Sequence, residues 1–305
     1  MNRCSLAVAG LACVLAACSP RGSDGLGAQD RFEQARGAFL RDQLDSAIGL
    51  LQRAAEAEPN RAEVHYWLGR ISAEKAMRVG LIRSFFVVRR GKVASSHAVA
   101  LEPDNPDYLE FQTDVLSALP GILGGNRDSA LVLAMRLHRL DTARGSRKVL
   151  DVLWRGNDKW RARHDSIVET ISRSTASDRT MQLMIGAYCR ANCRERALAI
   201  YQRLVERDSM DAYARFAAGR ALIVLGREPR RAQAYLWPAA RGLERPLDFG
   251  PSYVRFTAGA PWWRLGLTYV QLGMPDSARI CFEEALRVNP ELEVARRSLD
   301  SLSRH

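Results

Sequence analysis

Apolar residues return at helical spacing along most of this chain, and the pattern is plainest near its C-terminus. Trp262, Leu265 and Tyr269 fall at i, i+3 and i+7, which is one face of a helix. After Leu272-Gly273-Met274-Pro275 a second face begins with Ala278, Phe282 and Ala285, and Pro290 follows it. Glycine stops the first helix, Pro275 opens the second where no backbone N–H is needed, and Pro290 ends it. Gly266 and Ala278 are small where the two helices would cross. This spacing predicts a helical hairpin. Strand-like alternation is scarce elsewhere, so the whole chain reads as all-α.

The same arrangement recurs upstream. Unit one has a helix near residues 28–41, then Ala47, Leu51, Ala54 and Pro59. Unit two has Leu68-Gly69, then Ala98 and Pro103, with roughly ten extra residues between them relative to a repeat of about 34. Unit three runs from Pro106 through Ala130 to Leu140. Unit four, near residues 145–174, is degenerate, with Trp154 and Trp160 outside the recurring positions. Unit five has Ile185-Gly186, then Ala197, Tyr201 and Leu204; unit six has Gly219 and Leu222, then Ala232, Leu236 and Ala239. Residues 241–259, with Pro246, Gly250 and Pro251, form a long link before the last unit, and residues 291–302 are amphipathic like the cap of a repeat array.

The string Trp262-x2-Leu265-Gly266-x2-Tyr269, Ala278-x3-Phe282-x2-Ala285, Pro290 resembles the tetratricopeptide repeat at every signature slot. The resemblance implies a right-handed superhelical solenoid of about seven helix-turn-helix hairpins with a C-terminal capping helix. It divides the chain into an array over 28–245, a linker over 246–258, and a last unit with its cap over 259–305. Leu119-Pro120-Gly121-Ile122-Leu123-Gly124-Gly125-Asn126, followed by Ala130, resembles an insertion in bacterial members of the family. In this family the first helix of each hairpin lines a concave groove. The residue after the tryptophan slot and the one four later point into it. Those pairs are Phe32/Arg36, Tyr66/Arg70, Phe216/Arg220 and Trp263/Leu267, while unit three departs with Glu110/Asp114. The resemblance thus implies a groove of Phe32, Arg36, Tyr66, Arg70, Phe216, Arg220 and Trp263 that binds protein or peptide segments, acidic ones included. Aromatics supply contact area and guanidinium forks take carboxylates. The competing reading packs the aromatics between repeats and sends the arginines into solvent.

The first residues set an expected compartment. Arg3 precedes an apolar run over residues 6–17 that is shorter than a membrane span. It ends in Leu15-Ala16-Ala17-Cys18, which resembles the lipobox of bacterial lipoproteins. That resemblance implies a signal peptide over 1–17, lipidation at Cys18, and a flexible Gly/Ser-rich tether over 18–27. Ser19, in place of an inner-membrane aspartate, favours the outer membrane and a periplasm-facing anchor.

The formal charge of +11 suits anionic envelope surfaces or acidic proteins, or reflects arginines on solvated helix faces. A lipid anchor argues against nucleic acid. Of six cysteines, Cys189, Cys193 and Cys281 lie in the array, either as small buried thiols or with Cys189 and Cys193 bridged. No cofactor or metal is expected. The loop Gly121–Gly125 lacks both a preceding strand and a Gly-Lys-Ser/Thr, and His164-Asp165-Ser166 are sequence neighbours that do not face one another on a helix. The reading is a non-enzyme: a lipid-anchored periplasmic scaffold or adaptor, or alternatively a small-molecule or lipid carrier or the soluble subunit of a transport system. The apolar and basic segment 79–92 is expected to extend a hairpin and bury Phe85 and Phe86, with contact to a membrane surface or partner as the alternative.

Overall fold

The computed structural model describes residues 27–78, 81–242 and 257–303. The expected signal peptide, Cys18, all but the last residue of the expected tether, and most of the 246–258 link lie outside the described residues. Among the described residues every regular element is helical. The chain divides into two compact units, the first ending at Pro59 and the second beginning at Asn60.

In the first unit, α1 (Ala28–Leu40) and α2 (Leu44–Ala57) form one hairpin. Its buried residues, Phe32, Ala35 and Ala38 on α1 and Ala47, Ile48, Leu51 and Ala54 on α2, repeat at helical spacing.

The second unit continues with α3 (Ala62–Arg78) and α4 (Leu81–Leu101), then α5 (Pro106–Ala118), a 3-10 turn (Gly121–Leu123) and α6 (Arg127–Leu140). Next come α7 (Thr142–Trp154), the short α8 (Asp158–Arg163) and α9 (Asp165–Ser174). The remaining hairpins are α10 (Arg179–Asn192) with α11 (Arg194–Arg207), α12 (Ala212–Leu225) with α13 (Pro229–Gly242), and α14 (Ala260–Gln271) with α15 (Pro275–Val288); α16 (Glu293–Leu302) caps the array. The extra residues of unit two become helix: α3 has 17 residues and α4 has 21. Degenerate unit four is α7 followed, after Gly156, by a second helix broken into α8 and α9 at His164.

Each signature glycine has a physical reason. A Cβ on Gly186 would lie 2.6 Å from the Tyr201 ring, one on Gly219 2.5 Å from Leu236, and one on Gly266 2.4 Å from Phe282. The second helix of three successive hairpins thus drops its large residue onto the bare backbone of the first. Gly69 and Gly91 do the same for α3 and α4, each Cβ meeting the other's carbonyl at 3.2–3.3 Å. The Gly121–Gly125 segment is a tight connection: Gly124 sits at φ +81°, and a Cβ on Gly125 would collide with the Leu119 carbonyl. The long link does not separate the last unit from the one before it. Gln233 Nε2 on α13 donates to Tyr269 Oη on α14 at 3.1 Å, and Trp237 meets Trp262 edge-on at 6.1 Å.

Polar side chains fix neighbouring hairpins to one another. Asp211 caps α12 by accepting from Ala214 N at 3.0 Å, and Arg179 of α10 grips the same carboxylate with two bonds of 2.5 and 2.8 Å. Burial alone would raise the Asp211 pKa, but Arg179 and the backbone donors outweigh it and hold the carboxyl below its ordinary range. Arg196 of α11 holds Asp165 of α9 through two bonds of 2.6 Å. The three array cysteines are unbridged thiols, and burial pushes Cys189 and Cys281 up to about 12.

Candidate functional site

The structure separates the residues expected in a groove into three kinds. Phe32 is 1% exposed and Phe216 3% exposed, so both are core side chains and offer no contact surface to a partner. The aromatic half of the sequence pattern is corrected at these two positions, because the residue after the tryptophan slot turns into the hairpin there. A second group makes local contacts. Arg36 pairs with Glu33 one turn earlier at 3.3 Å. Arg70 Nη1 donates to Tyr66 Oη at 2.9 Å, and its guanidinium lies 5.7 Å from the Tyr66 ring centroid and 5.8 Å from that of Trp67. Tyr66 itself packs on Tyr108 and Phe111 at 4.8 and 5.8 Å. Trp263 is half-buried, donates from Nε1 to Ser298 Oγ of the capping helix at 3.1 Å, and carries the Arg264 guanidinium 4.2 Å from its ring centroid.

Arg220 is different. Together with Arg190 and Arg194 it lines a cavity of about 280 Å³ whose other walls are Ala197, Ala221 and Val224. Among the described residues no carboxylate lines it. Burial of the guanidinium, and after it the like charges of Arg190 and Arg264, bring the Arg220 pKa down to about 10. Burial and Arg190 lower that of Arg264 as well. Three successive first helices, α10, α12 and α14, therefore bring guanidiniums together against their mutual repulsion. Beside them the Tyr201 hydroxyl, close enough to feel Arg190 and Arg220, is buried with no hydrogen-bond partner among the described residues. Such a cluster has the chemistry to hold an oxyanion by charge-assisted hydrogen bonds.

Arg190 and Arg264 escape a reading that takes one slot per repeat, because they stand four residues after Gly186 and two before Gly266. The acidic pair of unit three behaves in the opposite way. Glu110 accepts from Arg144 Nε of α7 at 3.0 Å, with a second, shorter bond from Nη2 of the same residue, and Asp114 from Lys148 Nζ at 2.7 and 2.8 Å. Arg144 also reaches Asp107 at 2.7 Å. This groove position is already neutralised by the chain itself. Among the described residues no cluster of three or more His, Cys, Asp or Glu is arranged to hold a metal ion.

Comparison with known proteins agrees with the hairpins. Residues 259–292 and residues 32–75 each match a tetratricopeptide repeat model. No curated protein matches the chain. Among solved structures, the C-terminal part of a tetratricopeptide-repeat protein from Cytophaga hutchinsonii superposes with a TM-score of 0.57 at 13% identity, covering 88% of this chain and 99% of that one. A tetratricopeptide repeat protein from Parabacteroides merdae gives 0.43 at 13% identity, over 90% and 98% of the two chains. YrrB, described as having an unusual peptide-binding site, gives 0.39 at 13% identity, over 81% and 96%. The fold is thus all-helical, and two of its segments match the tetratricopeptide repeat, a repeat that generally mediates protein–protein interaction.

Proposed function

We propose that this protein is a lipid-anchored adaptor of the bacterial envelope that holds acidic segments of a partner protein through Arg190, Arg220 and Arg264. The observation that carries the reading is the partly buried Arg220, pressed by the like charges of Arg190 and Arg264, in a cavity with no carboxylate among its described lining residues. Most other arginines near acids are spent on this chain's own Asp and Glu, as Arg144, Arg179 and Arg196 are. A carboxylate entering the cavity would relieve the repulsion among the guanidiniums while gaining hydrogen bonds worth about 1.5–3 kcal/mol each where desolvated. Arg36 and Arg70, already engaged on their own helices, take a lesser part than Arg220. Anchoring rests on Leu15-Ala16-Ala17-Cys18, and placement at the outer membrane, facing the periplasm, on Ser19.

A fluorescent glutamate-rich peptide with a free C-terminus tests the recognition step by anisotropy at low and physiological salt. The wild-type chain is expected to bind it with an affinity that falls as salt rises. The variant Arg190→Gln/Arg220→Gln/Arg264→Gln, checked for retained helicity, is expected to lose at least tenfold. Equal affinity of variant and wild type would sink the site, and salt-independent binding would sink its chemistry. Preference for an apolar small molecule over the peptide would favour a carrier instead. Anchoring is tested separately by palmitate labelling in cells, which Cys18→Ala should abolish; persistent label would overturn the lipid attachment.

A further inference from the structure

Helix α4 contains Arg83, Arg89, Arg90 and Lys92 and not one acidic residue along its 21 positions. Its buried face is made of Val87, Gly91, Ala94, Ser95 and Ala98, and Gly91 lets it sit close on α3 at Gly69. With small residues filling that contact, the bulky ones are left on the other side. Phe85 is 42% exposed, Phe86 66% and Val93 63%, so the expectation that the two phenylalanines are buried is corrected. Their rings stack edge-on at 5.5 Å and form a single apolar knob.

A second element completes the surface. The 3-10 turn lies against α4, so close that a Cβ on Gly124 would strike the Lys92 ammonium. It presents Ile122 at 89% exposure. Between helix and turn is a cleft of about 520 Å³ whose walls include Phe85, Arg89, Lys92, Val93 and Ile122. Arg89, Arg90 and Lys92 make no ion pair with any described residue. Scattered exposed apolar residues are ordinary, but here aromatic and aliphatic side chains from two separate segments adjoin three unneutralised cations.

We propose that this face of α4 and the adjoining turn docks on an anionic phospholipid surface. Phe86, Ile122 and Val93 enter the boundary between headgroups and acyl chains, while Arg89, Arg90 and Lys92 meet lipid phosphates. The charge decides the occupant: an apolar protein partner would not need three cations beside the knob, whereas an anionic leaflet supplies phosphates wherever the apolar residues enter. No helix among the described residues is long and apolar enough to cross a membrane, so this contact lies on the surface. The inference is independent of the acidic-peptide site, which lies on α10 to α14, and of acylation at Cys18.

The test uses the chain from Ser19 onward, which holds every described helix and no acyl chain. It is floated with vesicles of phosphatidylethanolamine alone or mixed with phosphatidylglycerol. Binding is expected only with phosphatidylglycerol. Each cation removed near an anionic surface should weaken it about fivefold, so Arg89→Gln/Arg90→Gln should bind about twenty-five-fold more weakly. Phe86→Ser/Ile122→Ser should also lose binding without losing helicity. A separate probe, Ile122→Trp, changes a residue already in solvent and should blue-shift its fluorescence on phosphatidylglycerol vesicles. Equal flotation on both lipids, or unchanged binding by the arginine variant, overturns the proposal. So does a lack of vesicle binding together with saturable binding of a soluble acidic protein that the same substitutions abolish.

Discussion

Helices α5 and α7 and helices α10, α12 and α14 handle charge in opposite ways. On α5, Asp107 meets Arg144 of α7 at 2.7 Å, Glu110 and Asp114 meet Lys148 at 3.3 and 2.7 Å, and Arg144 also grips Glu110. On α12, the charged neighbours that bear most on Arg220 are two more arginines, Arg190 and Arg264. Both arrangements are partly buried and both are made by consecutive hairpins. The first is closed: each charge finds its counter-charge within the chain, so nothing is left over for a ligand. The second is open, and folding must tolerate its repulsion. Matched charges therefore mark where the array is joined, and like charges packed together, as around Arg220, mark where an anion is expected to bind.

The largest expected effect comes from the joint beneath the open cluster. Asp211, with its side chain 2% exposed, both caps α12 and receives Arg179. Asp211→Ala removes the cap and strands the guanidinium, and should cost about 3 kcal/mol in urea unfolding. The sign with pH follows from the direction of the shift. The folded-state pKa of Asp211 lies below its unfolded value of 3.8, so its contribution is complete above that value and is lost as pH falls through and below it. An acid-unfolding midpoint that does not move in Asp211→Asn would show that the pair contributes nothing.

A smaller loss is expected at the closed network. Lys148 is 13% exposed and serves Glu110 and Asp114 together. Its pKa would fall by burial alone but is raised overall by these two carboxylates. Lys148→Met keeps the stem and removes the charge, leaving Glu110, Asp114 and the half-buried Asp151 facing each other. About 2 kcal/mol of destabilisation should appear, moderated by the exposure of Asp114. If Lys148→Met is as stable as wild type, the network is not what joins α5 to α7, and the contrast with α12 loses one of its terms.

The hairpins were legible in the sequence because their requirements are local. Gly186, Gly219 and Gly266 each face one large residue about half a repeat later, and that spacing can be read from the chain. Unit four was legible only as an irregularity, since the separate start of α8 follows from Gly156, the Asn157 cap and burial of Trp160, not from any periodic slot. The arginine site was half legible. Arg220 stands at a recurring position, but Arg190 and Arg264 reach it from other heights on α10 and α14, and only the packing of three hairpins brings them together. At Phe32 and Phe216 the limit is the reverse: helical spacing places each beside an arginine but does not say which of the two faces the core. On α4 the apolar run suggested burial, yet its contact with α3 is filled by Gly91, Ala94, Ser95 and Ala98, which leaves no place for Phe85 and Phe86.

The smallest expected effect is the sharpest test of the comparison, because its sign is unusual. Arg220→Gln should leave the protein as stable as before or raise stability by about 1 kcal/mol, since the substitution removes a partly buried charge that repels two others. An arginine serving as a structural partner, such as Arg144 or Arg196, should give the opposite sign when changed to Gln. The pH dependence has a matching direction. Because the Arg220 pKa is lowered to about 10 in the folded state, its penalty is complete below pH 10 and eases only as pH climbs above it. Wild type and Arg220→Gln should therefore differ by a constant amount between pH 6 and 9. A polyanion should reverse the order: with citrate at about 100 times its dissociation constant, wild type alone should gain roughly 2.7 kcal/mol. Denaturant melts of both proteins, with and without citrate at low ionic strength, measure each quantity. If Arg220→Gln is the less stable protein without citrate, the guanidinium is a structural partner like Arg144, and the open cluster must be reclassified as closed.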